Sequence, residues 1–133
     1  MTLPRPVLTF PYTALETRDR LRADLAHRDG PYPQGVTVST KPTAGADENR
    51  PRPYVHVLTL GGPILNGVRS RDSVRLNVNA ADEGNAYRLA ELARALLVAL
   101  HGYRGDSRPT LTTDPDTGEP LASVDLDAVA APN

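Results

Sequence analysis

Residues 61–102 read GGPILNGVRSRDSVRLNVNAADEGNAYRLAELARALLVALHG, and no other stretch limits the fold as much. A Gly-Pro-Asn loop leads into a strand in which Val74, Leu76 and Val78 alternate with Arg75, Asn77 and Asn79, the period of a half-buried strand. A long helix follows, with Asp82 as its N-cap and Gly102 as its end. Ala86, Leu89, Ala90, Ala93, Leu96, Leu97 and Leu100 form one stripe at helical spacing. Residues 95–100 are apolar all round, which demands burial on more than one side. The stretch predicts a scaffold that buries one face against its own sheet and another against a neighbour.

The rest of the chain supplies a second helix and more strands. Residues 1–11 carry Pro4, Pro6 and Pro11, so they read as an extended arm rather than a central strand. Thr13 and Glu16 have the spacing of a capping box, which starts a helix at residues 14–28 with Ala14, Leu21 and Leu25 on one face; Gly30 and Pro31 stop it. A short strand at residues 35–40 puts Val36 and Val38 on one side. Residues 54–60 form the strongest strand, with Val55 and Val57 facing one way and Leu58 and Leu60 the other, the pattern of a strand covered on both faces. Residues 41–53 and 61–73 read as protruding loops. Residues 103–109 form another loop, followed by a strand around Leu111. Asp114, Pro115, Gly118 and Pro120 mark a turn before a last strand at residues 121–126, with 127–133 a frayed tail. The expected fold is α+β: one domain over residues 1–133, with an N-terminal arm (1–12) and a C-terminal tail (127–133). Its small mixed or mostly antiparallel sheet has four to five strands and two helices on one face.

Composition narrows the function classes. At 133 residues the chain holds one modest core, and with aromatics at 5% that core rests on Leu, Val and Ala. There is no cysteine, so disulfide scaffolds, thiol nucleophiles and Cys-based zinc sites are excluded. A formal net charge of −1 gives no general signal for nucleic-acid binding. No apolar run approaches the roughly 20 residues of a membrane span, and no signal sequence is visible, so a soluble chain without membrane contact is expected.

The chemical motifs favour structure over catalysis. Counting from Asp114, the sixth and twelfth residues are Glu119 and Asp125, where a calcium loop needs Gly and Glu. The D-x-D spacing of Asp114 and Asp116 also resembles that of aspartate-nucleophile phosphatases, but too little chain follows it, and a hairpin turn is the simpler reading. His27, His56 and His101 fall on three separate elements; His56, in the strongest strand, is the one that a base or a metal would use. Arg18, Arg20 and Arg22 alternate with acids and read as a solvated face, whereas Arg69 and Arg71, beside few acids, are better placed for a partner. Gly61, Gly62 and Gly67 lack the lysine and following helix of a phosphate loop, and no serine lies in a G-x-S-x-G context. Neither an enzyme nor a cofactor is expected.

The order of elements, the helix bearing Ala81, Asp82, Glu83, Ala86, Leu89, Ala90, Leu92, Ala93, Arg94, Ala95 and Leu96, and the turn from Asp114 to Pro120 together resemble the tail terminator (tail completion) proteins of long-tailed phages, particularly those infecting actinobacteria. The resemblance covers residues 36–126. It implies a hexameric ring in the virion neck, made in the host cytoplasm, that caps the tail tube, ends its polymerisation and presents a surface for the head. Its partners would be further copies of itself, the major tail tube protein and head-completion proteins, with genomic DNA passing through the lumen unbound. The rival readings are a head-completion or stopper protein of the same neck, a nucleic-acid-binding module, and a small hydrolase built on His56.

The family has no catalytic residues to carry over, so contacts are assigned from the residues themselves. Leu58, Leu60, Ile64, Leu65, Arg69, Arg71, Leu97 and Val98 are the candidates for the subunit or partner interface. Asp47, Glu48, Arg50 and Asn66 are the candidates for exposed assembly loops, with both protruding loops expected to order only in the ring.

Overall fold

The computed structural model describes residues 9–26, 36–41, 53–65, 69–115 and 118–130. In chain order the elements are α1 (Thr13–Ala26), β1 (Thr37–Ser39), β2 (Tyr54–Gly61), β3 (Ile64–Leu65), β4 (Arg69–Asn79), α2 (Glu83–Val98), β5 (Tyr103–Arg104), β6 (Thr110–Thr113) and β7 (Pro120–Ala130). The class is α+β, with a seven-stranded mixed sheet in place of the four to five strands expected.

The sheet runs β1-β2-β4-β7-β5, with β3 paired to β4 and β6 to β7. β1 is parallel to β2, and every other pairing is antiparallel. Alternation in the three long strands decides the two faces. Val55 and Val57, then Val74, Leu76 and Val78, then Ala122, Val124, Leu126 and Ala128 are all buried, and they form one core with the helices. α1 lies over β1, β2 and β4, and α2 over β4, β5, β6 and β7, so both helices occupy one face as expected.

α2 follows the sequence closely. Asp82 is extended and accepts from the amide of Asn85 at 2.8 Å, relieving one of the free donors of the first turn. Ala86, Leu89, Ala90, Ala93, Leu96 and Leu97 are buried, and Leu100 packs partly against the core. The helix stops at Val98, not at Gly102, because Gly102 does a different job. With φ of +98°, it swings the chain into β5, and its carbonyl accepts from the Val129 amide at 2.8 Å.

Other expectations need correction. Thr13 lies inside α1 and does not cap it: the amides of Leu15 and Glu16 take the Tyr12 carbonyl, while the Thr13 hydroxyl donates to Asp72 Oδ2 at 2.7 Å. A part-buried carboxylate on the sheet outbids the local box, because it needs a donor of its own. The 61–73 segment is not simply a loop: β3 folds back on β4 with Ile64 opposite Ser70, and β4 already begins at Arg69. Residues 127–130 are not a frayed tail, since β7 pairs with β4 as far as Ala130 opposite Ser70. Residues 103–104 are strand where a loop was expected.

Candidate functional site

Register and hydrogen bonds place the elements relative to the two ends of the sheet. β4 runs from Arg69 at one end, here the distal end, to Asn79 at the other; β2 and β7 run towards the distal end. The Thr13–Asp72 bond sets the start of α1 at the distal end, and the Gly102–Val129 bond sets the end of α2 there too. The two helices are therefore antiparallel, with the N-terminus of one and the C-terminus of the other over the same edge of the molecule.

Among the described residues the large apolar side chains left exposed are Tyr12, Leu15, Leu60, Ile64, Val98 and Leu111. All but Leu111 belong to the distal end: Tyr12 and Leu15 at the start of α1, Leu60 and Ile64 where β2 turns into β3, and Val98 at the close of α2. Leu111 sits opposite Ala122, towards the other end. Leu65 is half-buried beside Ile64, and Arg69 and Arg71 are exposed as the first and third residues of β4, strand residues rather than loop residues. Tyr12, Leu15 and Val98 lie there in the helix layer, and Leu60 and Ile64 in the sheet; apolar exposure that proves contiguous marks a contact surface, whereas isolated exposed leucines do not.

Seven of the sequence candidates thus come together at or near this end. Leu58 is half-buried on the sheet face away from the helices, next to the distal hairpin. Leu97 is the exception, because it is wholly enclosed by the subunit's own core and so is not available to a neighbour. Its neighbour Val98, about 100° round the helix, is 39% exposed. Asp47, Glu48, Arg50 and Asn66 lie outside the described residues, as does His27. Tyr12 and Leu15 were missed, although Leu15 falls off the Ala14–Leu21–Leu25 face and so was a legible exposed leucine.

The helix-free face of the sheet carries a polar ladder. Arg75 makes a two-pronged pair with Asp125 at 2.7 and 3.1 Å, Ser123 donates to Asn77 at 2.6 Å, and Ser73 donates to Asp127 at 3.3 Å. The Asp125 carboxylate raises the Arg75 pKa, chiefly through that hydrogen bond. Opposite-charge and hydroxyl–amide pairs directly across two strands each add modestly to sheet stability. At the far end Asn79 Nδ2 donates to Asp114 Oδ2 at 3.0 Å, both groups being buried. Asp114 also closes the β6–β7 turn, its carbonyl taking the Gly118 amide and its amide giving to the Glu119 carbonyl, each at 2.8 Å. The turn that imitated catalytic motifs is therefore a hairpin built round a buried structural carboxylate.

His56 lies on the helix-free face, opposite Ser39 on β1 and Asn77 on β4. Loss of hydration pulls its pKa below the ordinary 6.5, opposed by a backbone hydrogen bond with Thr40. Among the described residues no three His, Asp or Glu side chains group as metal ligands would. Above pH 6.5 His56 is neutral folded or unfolded, so it favours neither state. Below 6.5 the unfolded chain takes the proton more readily, so stability falls until the folded-state pKa is passed. Urea titrations at pH 7.5 and 5.5 are expected to show a loss of stability on acidification that His56→Gln reduces. An unchanged loss in the variant would exclude His56 as its source.

No known protein-family model matches the chain, and no curated protein matches it. No helix among the described residues is long and apolar enough to cross a membrane.

Proposed function

We propose that this chain is a structural subunit that assembles into a ring, in the manner of the tail terminator proteins its sequence resembles, and that the distal end carries its contacts. The observation behind this reading is the gathering of Tyr12, Leu15, Leu60, Ile64 and Val98 at one end of the sheet, with Arg69 and Arg71 beside them. Large apolar groups exposed at the same end of a fold are candidates for burial against a partner. A ring supplies the cover, since each subunit meets two neighbours through unlike surfaces that close on themselves. The mechanism is geometric: the closed ring occupies the edges on which the next layer of tube subunits would add. No chemistry is asked of the polar groups, and Asp114 and the Arg75–Asp125 pair serve the sheet.

The experiment is negative-stain electron microscopy of a lysate of the parent phage with this gene interrupted. Overlong or ragged tails beside unattached full heads are expected. Normal-length tails beside unattached heads would move the subunit to the head side of the neck, as a stopper or head-completion protein. Intact virions would overturn the structural reading.

A further inference from the structure

The two helices are attached to the sheet by different kinds of seam. α2 is held by six buried apolar residues. Among the described side chains of α1, residues 13–25, only Ala14 and Leu21 are fully buried apolar groups, with Leu25 partly covered, and two of the four buried there are threonines. Each threonine is tied to the sheet side by a hydroxyl: Thr13 to Asp72 at 2.7 Å, and Thr17 to the Tyr103 hydroxyl at 2.9 Å. A third polar tie joins Arg22 Nε to the Val38 carbonyl of β1 at 2.8 Å. Such bonds exchange readily for bonds to water, so their net hold is small compared with that of buried leucines.

We infer that α1 is a releasable strap, which lifts off the β1–β2–β4 side of the core while α2 and the long strands stay folded. Local opening of this sort draws on elements with few buried apolar contacts. Release removes Tyr12 and Leu15 from the distal surface, because both ride on the start of α1. It also removes the cover that α1 gives β1 and β2, where Val38, Val55 and Val57 are buried, and the side of α2 on which it packs. Docked, the strap completes the contact surface; lifted, it disables it. This gating of assembly rests on the ring reading above, whereas the opening itself does not.

Hydrogen exchange by mass spectrometry on the free full-length chain tests the opening. Amides of residues 15–26 are expected to exchange faster than those of 89–97, with a weaker dependence on urea. Tyr103→Phe, which deletes one hydroxyl and leaves the ring, is expected to speed exchange in α1 about two- to tenfold and leave α2 unchanged. Sedimentation of the same two proteins reads the gating, with Tyr103→Phe expected to need a higher concentration to assemble. If α1 and α2 exchange at one rate with one urea dependence, and Tyr103→Phe shifts both together, the strap does not exist. If α1 opens alone but the variant assembles as the parent does, the gating is overturned and the opening stands. If the parent chain never self-associates while α1 opens alone, it is the ring reading that fails.

Discussion

Leu97→Asp is expected to destabilise the fold severely, while Val98→Asp leaves a folded subunit of near-parent stability that does not assemble. The two residues are neighbours on α2, and from sequence alone both belonged to a helix end that was apolar all round. The structure separates them: Leu97 is fully enclosed among the core residues, and Val98 is 39% exposed at the distal end. A carboxylate at residue 97 would be buried without a partner, and it removes the packing of a leucine as well. The combined cost is about 4 kcal/mol or more, against a total stability of about 5–15 kcal/mol for a domain of this kind. At residue 98 the new carboxylate reaches water. Its cost is about 1 kcal/mol, from a negative charge at a helix C-terminus. Arg88→Ala, on the exposed face of the same helix, is expected to change stability by less than about 0.5 kcal/mol. Circular dichroism with urea titration reads folding, and sedimentation velocity reads assembly. A cooperative, parent-like transition in Leu97→Asp would contradict the packing of α2. Parent-like assembly by folded Val98→Asp would remove Val98 from the contact surface.

The parts of this fold that were legible in the sequence are those in which one local rule acts alone. The stripe of α2, its Asp82 cap, the alternation of Val74, Leu76 and Val78, and the turn at Asp114 all follow from period or from turn chemistry. The failures come where a distant partner competes with a local signal. Thr13 has every local reason to cap α1, yet Asp72, 59 residues away, takes its hydroxyl. Thr17 was passed over because it is polar, although its place at helical spacing between Ala14 and Leu21 puts it on the buried face. β3 and β5 are two residues each, too short for any periodicity to show, and they exist only because β4 and β7 offer them an edge. The candidate surface was half legible for the same reason. Exposed Leu60, Ile64 and Val98 can be read one at a time, but their meeting at one end depends on pairing across the sheet and on antiparallel helices. Neither of these is written in a local pattern.

Gly62→Ala is expected to break the distal hairpin, and the reason is space, not backbone freedom. Gly62 sits where β2 turns into β3, and a methyl group there would fall on the backbone carbonyl of Arg71. That carbonyl cannot step aside cheaply, because Arg71 is held in β4 opposite Val129 of β7, and its amide donates to the Pro63 carbonyl at 3.0 Å. Either the hairpin opens or β4 is dragged out of its ladder. The expected loss is about 2–4 kcal/mol, at the upper end of overpacking effects because the obstacle is backbone. Gly61 gives the internal control. A methyl there meets nothing within 4 Å, but φ is +82°, so Gly61→Ala carries only the left-handed penalty of about 1–2 kcal/mol. Gly61→Asn is expected to be milder still, since Asn tolerates that conformation. Urea titration orders the three variants, and hydrogen exchange at residues 63–65 and 69–73 locates the damage. Stability within about 0.5 kcal/mol of the parent in Gly62→Ala would mean that β3 does not fold back on β4. Ile64 would then no longer be held at the end that Leu60 and Val98 share.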